Sequence, residues 1–515
     1  MGAAATALMA AAPLQGATLY WQGGAGTLTA ANYSDGVTPN LAPTAADVIN
    51  FGAGGTATYS TAGPVSFQKL RVGHAQNPAI SNGAGTVTIS NGAAVNLSVG
   101  AAGAGNASLW VGNVQNGTLN IDGPNTSVTA ARLVIIGYGN NVSRSGTVNI
   151  TNGGSLTSIL GNISLGDSTG GGLTGVQGHL YVNGNVTASS SGADLNIGLY
   201  NAQSTFTQTG GLVAIDDAIE VGVSSSSNLN VGSSFSVSGG TTTHGGNFLL
   251  GRGASTNATV NISGTGVLNT GNRFLMGAGT ATGVTTNHSG GTLNTVLDLR
   301  VADSGSGDAT YNLSGAGVIN STTGGIVGRQ GTGQFFQTGG IANFNGVLSI
   351  GNRESATGAA SGLYKLSSGA LNVATALNVA TNGAGELRVV GDDATIELGT
   401  LLVGSTVNGG GTLAFELEAG DLLSSIDVTG VATFNAGASL VFDVANALPT
   451  QTVYDLVTAT SIVDNGISFT APSNWSYQIV AGGNGQILQA VLAVPEPSAL
   501  GLALIAGVGA FRRRR

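Results

Sequence analysis

The chain has 515 residues, a formal net charge of −9 and 87 glycines, and it contains no cysteine. Its 15 basic residues form no patch apart from the terminal arginines, which excludes nucleic acid as a partner. Without cysteine it has neither disulfides nor thiolate metal sites, and its regularly recurring Val, Ile and Leu exclude a wholly disordered chain.

The first segment of the chain, MGAAATALMAAAPLQGA, consists of small and apolar residues and ends near Ala17. This composition is typical of the apolar region of a signal peptide, although no positively charged region precedes it. We therefore expect residues 1–17 to be a signal peptide with a truncated start.

A short pattern recurs along residues 18–408: an apolar residue, any residue, a second apolar residue, one or two small polar residues, then glycine. It occurs as TVTISNG, TLNIDG, TVNITNG and ATVNISG, and in polar variants as TFTQTGG, TTNHSGG and FFQTGG. Successive copies lie 23 to 32 residues apart. A second marker, an apolar run ending in glycine such as LWVG or FLLG, recurs in phase with the first, and a third short apolar element lies between them.

Short strands joined by glycine-rich corners at a fixed period predict an all-β fold, a parallel β-solenoid. We expect right-handed winding, three strands per coil and about 26 residues per coil. Because side chains alternate along a strand, Val87, Leu119 and Val148 are predicted to occupy equivalent inward positions on successive coils.

Residues 409–492 contain longer alternating strands and more acidic residues. We predict a small antiparallel or mixed β module that caps the solenoid, because an open end exposes unpaired backbone groups to other chains.

The tail, residues 493–515, combines a Pro495-Glu496-Pro497 motif, an uncharged apolar run and four terminal arginines. The prolines favour an exposed extended link, and the apolar run predicts a short helix. Thirteen apolar residues span only ~20 Å of a hydrocarbon core about 30 Å thick, which argues against a lasting anchor. The basic cluster, expected on the cytoplasmic side, consists of Arg512, Arg513, Arg514 and Arg515.

This tail is similar to the PEP-CTERM sorting signal of Gram-negative bacteria. The resemblance covers about the last 22 residues and implies export, transient insertion in the inner membrane, and recognition near Pro-Glu-Pro by an exosortase. It implies delivery to the cell surface or the extracellular matrix. The segment TLYWQGGAGTLTAANYSDG and the strand order of residues 409–492 also resemble parts of the passenger regions of autotransporter-like and PEP-CTERM surface proteins. An ordinary tail anchor is the alternative.

The sequence offers few candidates for catalysis. Gly166–Gly170 matches Gly-x-Ser-x-Gly without a strand-to-helix turn, so we interpret it as a corner. The histidines His74, His179, His244 and His288 lack metal-ligand spacing, and we expect them at the surface or in corners. The pairs Asp216-Asp217 and Asp392-Asp393 cannot share a strand face and are expected to be solvated. We predict no catalytic residue, metal or cofactor.

Three arginines follow the glycine of the second marker at similar positions: Arg252, Arg329 and Arg353, with Arg273 and Arg300 nearby. On a solenoid, equal phase means one face, so they could form a ladder that binds an anionic glycan; solvated corner arginines are the alternative. The main hypothesis is an exported, non-catalytic surface or matrix protein associated with exopolysaccharide and biofilm. The alternative is a polysaccharide lyase or hydrolase on the same scaffold.

Overall fold

The fold was analysed in a computed structural model of the chain. The structure describes residues 16–74, 83–98, 107–139, 144–167, 175–199, 202–223, 232–254, 257–352, 360–405, 410–418, 422–444, 449–483 and 485–493. Residues 1–15 of the predicted signal peptide, Arg353 and residues 494–515 of the predicted sorting tail therefore lie outside the described residues.

The regular secondary structure of the described residues consists of β-strands, and no helix occurs among them. The first strands are β1 (Thr18–Trp21), β2 (Ala25–Thr27), β3 (Tyr33–Ser34), β4 (Val48–Phe51), β5 (Thr56–Tyr59), β6 (Gly63–Phe67), β7 (Lys69–Val72), β8 (Gly85–Ser90), β9 (Ala93–Leu97), β10 (Leu109–Val111), β11 (Gly117–Asp122), β12 (Ser127–Ala130), β13 (Val134–Tyr138), β14 (Ser145–Thr151) and β15 (Ser155–Ser158).

The central strands are β16 (Ile163–Asp167), β17 (Gln177–Asn183), β18 (Asn185–Ala188), β19 (Leu195–Leu199), β20 (Thr205–Gly210), β21 (Leu212–Ile215), β22 (Ile219–Val223), β23 (Ser234–Val237), β24 (Thr241–His244), β25 (Phe248–Gly253), β26 (Thr259–Ile262), β27 (Val267–Thr270), β28 (Phe274–Gly279), β29 (Val284–His288), β30 (Thr292–Thr295), β31 (Asp298–Gly305), β32 (Asp308–Leu313), β33 (Val318–Ser321) and β34 (Gly324–Val327).

The last strands are longer, and several of them bend through corners. They are β35 (Thr332–Phe344), β36 (Val347–Ile350), β37 (Ser361–Val379), β38 (Ala384–Val403), β39 (Gly411–Glu416), β40 (Ile426–Phe434), β41 (Ser439–Asp443), β42 (Val453–Asp464), β43 (Ser468–Thr470), β44 (Trp475–Gly482) and β45 (Gly485–Leu492).

Parallel pairing between successive coils organises the chain into a β-solenoid of about 15 turns. From β4 to β32, each strand pairs with the strand three places further along. We call the surface formed by β5, β8 and every third strand after them the first face, the surface that begins with β6 and β9 the second face, and the surface that begins with β1 and β4 the third face. The predicted all-β parallel solenoid is thereby confirmed.

The predicted register is also confirmed. Leu119 is the pairing partner of both Val87 and Val148, and all three side chains are fully buried. Alternation along the strands sends these apolar residues inward and the Thr and Asn residues between them outward, so a continuous apolar core runs along the solenoid axis.

Large aromatic residues fill part of this core by stacking between neighbouring coils. Phe206 lies 4.7 Å from Phe235 between ring centroids, and Phe335 lies 4.8 Å from Tyr311 and 4.4 Å from Tyr364. Offset stacking of this kind adds to area burial, so these coils are held by ring contacts as well as by backbone pairing.

Glycine at the end of the second marker is required by the corner geometry. Gly112 has φ of +72°, and a Cβ atom there would lie 2.4 Å from the carbonyl oxygen of Ser145 on the next coil. A side chain would therefore meet both backbone strain and a steric clash. This explains why the apolar run ends in glycine in coil after coil.

Parallel pairing continues past residue 409, where the sequence pattern loosens. Strands β39 to β43 each pair in parallel with an earlier strand, and in the described residues after 409 antiparallel pairing appears only where β45 contacts β42 and β44. At the other end, Trp21 packs against Tyr33 and Phe51 at ring distances of 5.1 and 4.8 Å. The parallel coils thus continue beyond residue 408, where the repeat pattern of the sequence ends.

Candidate functional site

The two described arginines of the predicted ladder lie in equivalent positions but not side by side. Each follows the inward residue of a third-face strand by two positions, and three strand spacings, about 14 Å, separate them. Arg252 lies 3.3 Å from Glu220, and Arg329 lies 3.1 Å from Asp303. Both guanidinium groups are therefore engaged with carboxylates of the chain itself.

Acidic and basic side chains on the third face form one connected network. Arg273 contacts Asp298 at 2.7 Å, Arg300 contacts Asp298 at 2.6 Å and Asp303 at 3.1 Å, and Asp303 also pairs with Arg329. Two carboxylates thus bind three guanidinium groups across neighbouring coils. These ion pairs link neighbouring coils, and they leave little cationic surface for an anionic ligand.

Burial raises the pKa values of two carboxyl groups near Arg252. Desolvation raises the pKa of Glu220, and the positive charge of Arg252 opposes this rise. Desolvation also raises the pKa of Asp194, to which the negative charge of Asp217 adds. Raised carboxyl pKa values occur in general acids, but here the nearest basic group is a solvent-exposed arginine, and the pair Asp216-Asp217 is solvated as predicted.

His244 and His288 end strands at corners, which is one of the two predicted placements, but they and His74 are buried and not at the surface. His244 and His288 occupy inward positions, which Ile215 and Ile262 fill on the preceding coils. Burial lowers the pKa of both His244 and His288 to about 4, so both rings are neutral at pH 7. His179 faces outward and is half-buried.

In the polar variants of the first repeat pattern, a buried Gln or His side chain bonds the backbone of the corner that follows it. Gln208 donates a hydrogen bond to the carbonyl oxygen of Gly211 at 3.1 Å, and Gln337 does the same to Gly340 at 3.2 Å. In His288, Nε2 lies 3.2 Å from the carbonyl oxygen of Gly291. Each side chain thus satisfies a buried backbone acceptor three residues further on, which explains the Gln or His before Gly-Gly.

A row of asparagine side chains, which the repeat analysis missed, runs along the second face. Every amide nitrogen in this row donates to the side-chain oxygen of the preceding coil at 2.8 to 3.2 Å. We call it the asparagine row; its members are Asn269, Asn294, Asn320, Asn343 and Asn372. The sequence signal is the repeated Asn in VLNT, TLNT, VINS, IANF and ALNV.

An open cleft of about 400 Å³ lies over the C-terminal part of this row. Asn320, Asn343 and Asn372 line it, together with Glu397 and Thr429. Beyond Asn372 the same outward position is held first by Glu397 and then by Asp427, which accepts a 2.7 Å hydrogen bond from Thr458. Two carboxylates therefore continue the row of amides, and one of them, Glu397, lines the cleft.

The chemistry of the cleft suits ligands rich in hydroxyl groups. Each asparagine uses one N–H within the row, and all but Asn372 also use part of the side-chain oxygen, which leaves further donor and acceptor capacity facing the cleft. The bonds within the row fix the amide planes before a ligand arrives, so little side-chain entropy is lost on binding. We find no group of three or more metal-ligating side chains in the described part of the chain.

The remaining predicted elements give no catalytic arrangement. Gly166 has φ of +65° at the end of a third-face strand, whereas Ser168 to Gly170 lie outside the described residues. Glu386, Arg388 and Glu416 form a second ion cluster with contacts of 2.7 and 3.3 Å. None of its members lines the cleft over the asparagine row.

A scan against models of known protein families gives no match for this chain, and no curated protein matches it either. Among the residues that the structure covers, no helix is long and apolar enough to cross a membrane. The residues themselves therefore carry the functional argument.

Proposed function

We propose that this chain is an exported, non-catalytic β-solenoid that becomes part of the cell surface or extracellular matrix of a Gram-negative bacterium and associates with exopolysaccharide. The observation that carries the proposal is the asparagine row beneath an open cleft on the second face. A polysaccharide presents hydroxyl groups at regular intervals, and the row presents amides at the regular strand spacing of about 4.8 Å.

We propose that the tail directs delivery of the protein to the cell surface or the extracellular matrix. Pro495, Glu496 and Pro497 would be recognised by an exosortase-type enzyme after the apolar segment has stopped transiently in the inner membrane, with the terminal arginines on the cytoplasmic side. This assignment rests on the sequence resemblance, because these residues lie outside the described ranges.

The finer features of the fold belong to the same proposal. We propose that the solenoid is right-handed, that each coil contains three strands, and that the tail forms a short apolar helix. The hairpin of β44 and β45 serves as the C-terminal cap, because its antiparallel pairing with β42 covers backbone groups that the next coil would otherwise pair.

Affinity electrophoresis tests the glycan site. The chain lacking its tail is run through gels that contain dextran, a neutral polysaccharide, or alginate, an acidic one. We expect at least one of them to retard it, and the double variant Asn343→Leu, Asn372→Leu to lose roughly tenfold in affinity through the missing hydrogen bonds. The matched control is Asn96→Leu, which lies in the same outward row but far from the cleft.

Two outcomes would contradict the proposal: no retardation by either glycan, or equal loss in the double variant and in Asn96→Leu. The arginine prediction has its own test, the triple variant Arg252→Ala, Arg329→Ala, Arg353→Ala. If the ladder operates, this variant binds alginate more weakly at low salt and the difference shrinks as salt screens the charges.

One observation favours the alternative of a polysaccharide hydrolase. Glu397 and Asp427 are pairing partners on neighbouring strands, and Glu397 lines the cleft, so two carboxylates stand close together beside a site suited to glycans. Paired carboxylates are the usual catalytic groups of glycosidases. Reducing-end release from dextran or alginate that disappears in Glu397→Gln would establish this alternative in place of the non-catalytic function.

A further inference from the structure

Two outward rows on the first face carry no charged side chain over ten coils. One row runs from Thr56 to Thr310 and consists of Thr and Ser apart from His179. The other runs from Thr58 to Asn312 and consists of Thr, Ser and Asn apart from Tyr181. We call these two rows the neutral face.

The neutral face is a regular lattice. Within the two rows every residue pairs with its equivalent on the next coil without a register shift, so the rows are straight. Neighbouring members are about 4.8 Å apart along a row, the rows are roughly 7 Å apart, and nine strand spacings give a length of about 43 Å. A lattice of this kind matches a ligand that is itself flat and periodic.

Hydrogen bonds fix the amides of this face in place. Asn149 donates to Asn120 at 2.8 Å, and Asn312 donates to Asn287 at 3.0 Å. These bonds leave the remaining donors and acceptors pointing outward in a constant orientation. Binding by such a prearranged surface requires little ordering of side chains.

An aromatic pair interrupts the lattice near its middle. Tyr181 is 44 % exposed and stacks on His179 with ring centroids 6.5 Å apart and an interplanar angle of 23°. His179 contacts the hydroxyl of Thr205 at 2.8 Å, and burial lowers its pKa, so the ring is uncharged at neutral pH. The exposed tyrosine ring offers an apolar platform flanked by amides and hydroxyls, the combination that recognises a sugar ring.

We propose that the neutral face docks onto the flat side of neutral polysaccharide chains packed side by side, with Tyr181 as the central contact. The net charge of −9 disfavours an acidic glycan on a surface that carries no cation to pair with it. The inference rests on the proposed function and names the class of glycan. It adds a docking surface distinct from the cleft on the second face.

Binding to insoluble microcrystalline cellulose tests this inference. The unmodified chain without its tail is expected to sediment with cellulose. The double variant Thr147→Lys, Thr259→Lys should bind at least tenfold more weakly, because a protruding charge in each half prevents flat contact. The matched control is Thr157→Lys, Thr187→Lys, which places the same charges on the second face and should bind normally.

Replacing Tyr181 with Ala refines the test. We expect roughly a fivefold loss of binding to cellulose, the size of one aromatic contact, with no loss of dextran or alginate retardation at the cleft. Failure to sediment with cellulose, or equal losses in the two lysine pairs, overturns the inference. Shaping of ice crystals without cellulose binding overturns it too, since the lattice would then order water. Cleft binding that persists in these cases leaves the proposed function standing.

Discussion

The first face changes character along the solenoid. From Thr56 to Asn312 its two outward rows are uncharged, whereas the later coils place Lys365, Glu386 and Arg388 in the same rows. Most inward positions are apolar in both regions, and the exceptions, such as Gln208, His288 and Gln337, bond corners of the coils. The comparison teaches that inward residues and corners specify the coil, and that the outward rows can vary for function without altering the register.

The largest expected effect comes from an inward aromatic residue close to the boundary between the two regions. Phe335→Ala should lower the free energy of unfolding by about 3–5 kcal/mol, because it leaves a cavity between the stacked rings of Tyr311 and Tyr364. Urea unfolding followed by circular dichroism measures the loss. A solenoid can unfold in sections, so hydrogen exchange should show reduced amide protection in the adjoining coils.

The neighbouring residue supplies the control. Phe336 has the same side chain but points outward and is only half-buried. Phe336→Ala should cost less than about 1 kcal/mol. Equal losses for the two variants would show that the inward and outward positions are not energetically distinct.

Acid should lower the stability of the coils that carry the neutral face, because these coils contain buried histidines. His288 has a folded pKa of about 4 against 6.5 in the unfolded chain, so the unfolded chain binds more protons below pH 6.5. The stability contributed by the neutral ring is complete above pH 6.5 and is lost as the pH falls to about 4, on the order of 3 kcal/mol. His244, whose folded pKa is also about 4, contributes in the same direction.

The variant His288→Gln isolates this effect. Glutamine already occupies the equivalent corner position at Gln208 and Gln337, so it should keep the bond to the Gly291 carbonyl group without titrating. Urea unfolding at pH 7.5 and pH 4.5 should give a smaller acid-induced loss for the variant. An unchanged pH dependence would mean that His288 is not the titrating group.

The charged region should respond to salt. Arg388 bonds Glu386 and Glu416, and these bonds raise its pKa against the opposing effect of desolvation, but the side chain is 31 % exposed. Arg388→Met should therefore cost about 1 kcal/mol at low salt and less at 1 M NaCl. Lys365→Met, in the same row, is the control and should change stability by less than about 0.5 kcal/mol.

The smallest effect on stability is expected from removal of the tail. If residues 494–515 are a sorting signal, their deletion should change the free energy of unfolding by less than about 0.5 kcal/mol, because such a signal would bury nothing against the coils. Its location should change, with the truncated protein found in the periplasm or the medium.

The sorting motif is tested separately by Glu496→Ala. We expect an uncleaved precursor to accumulate in membrane fractions, with its intact C-terminus identified by mass spectrometry. Normal cleavage and delivery of this variant would mean that Pro-Glu-Pro is not recognised, and that the tail is an ordinary short anchor.

Periodicity made the core predictable from the sequence. Apolar alternation and in-phase glycines were sufficient to align Val87, Leu119 and Val148, because both follow from local geometry repeated in every coil. Residue type alone misled for His244 and His288. Their burial is determined by the row they occupy, and the groups that they contact, the carbonyl oxygens of Asp217 and Gly291 and the hydroxyl of Tyr311, are brought to them by the fold.

The candidate site was harder to predict than the core. The asparagine row depends on side-chain bonds between residues 23 to 29 positions apart, and a shift of one residue in the corner would break every one of them. The same holds for the arginines, since Arg252 pairs with Glu220 across 32 positions. Such bonding partners can be identified only when the pairing of neighbouring coils is known residue by residue.

Exact equivalence between neighbouring coils also bears on how the length of this protein can vary. Thr259 and Thr285 are pairing partners, and so are Asn261 and Asn287. Removing residues 259–284 joins one coil directly to the next but one, with inward rows, outward rows and corner glycines still in phase. Whole coils can therefore be lost or duplicated as units during evolution, so that the reach of the molecule and the extent of its binding surfaces change together while every remaining contact is kept.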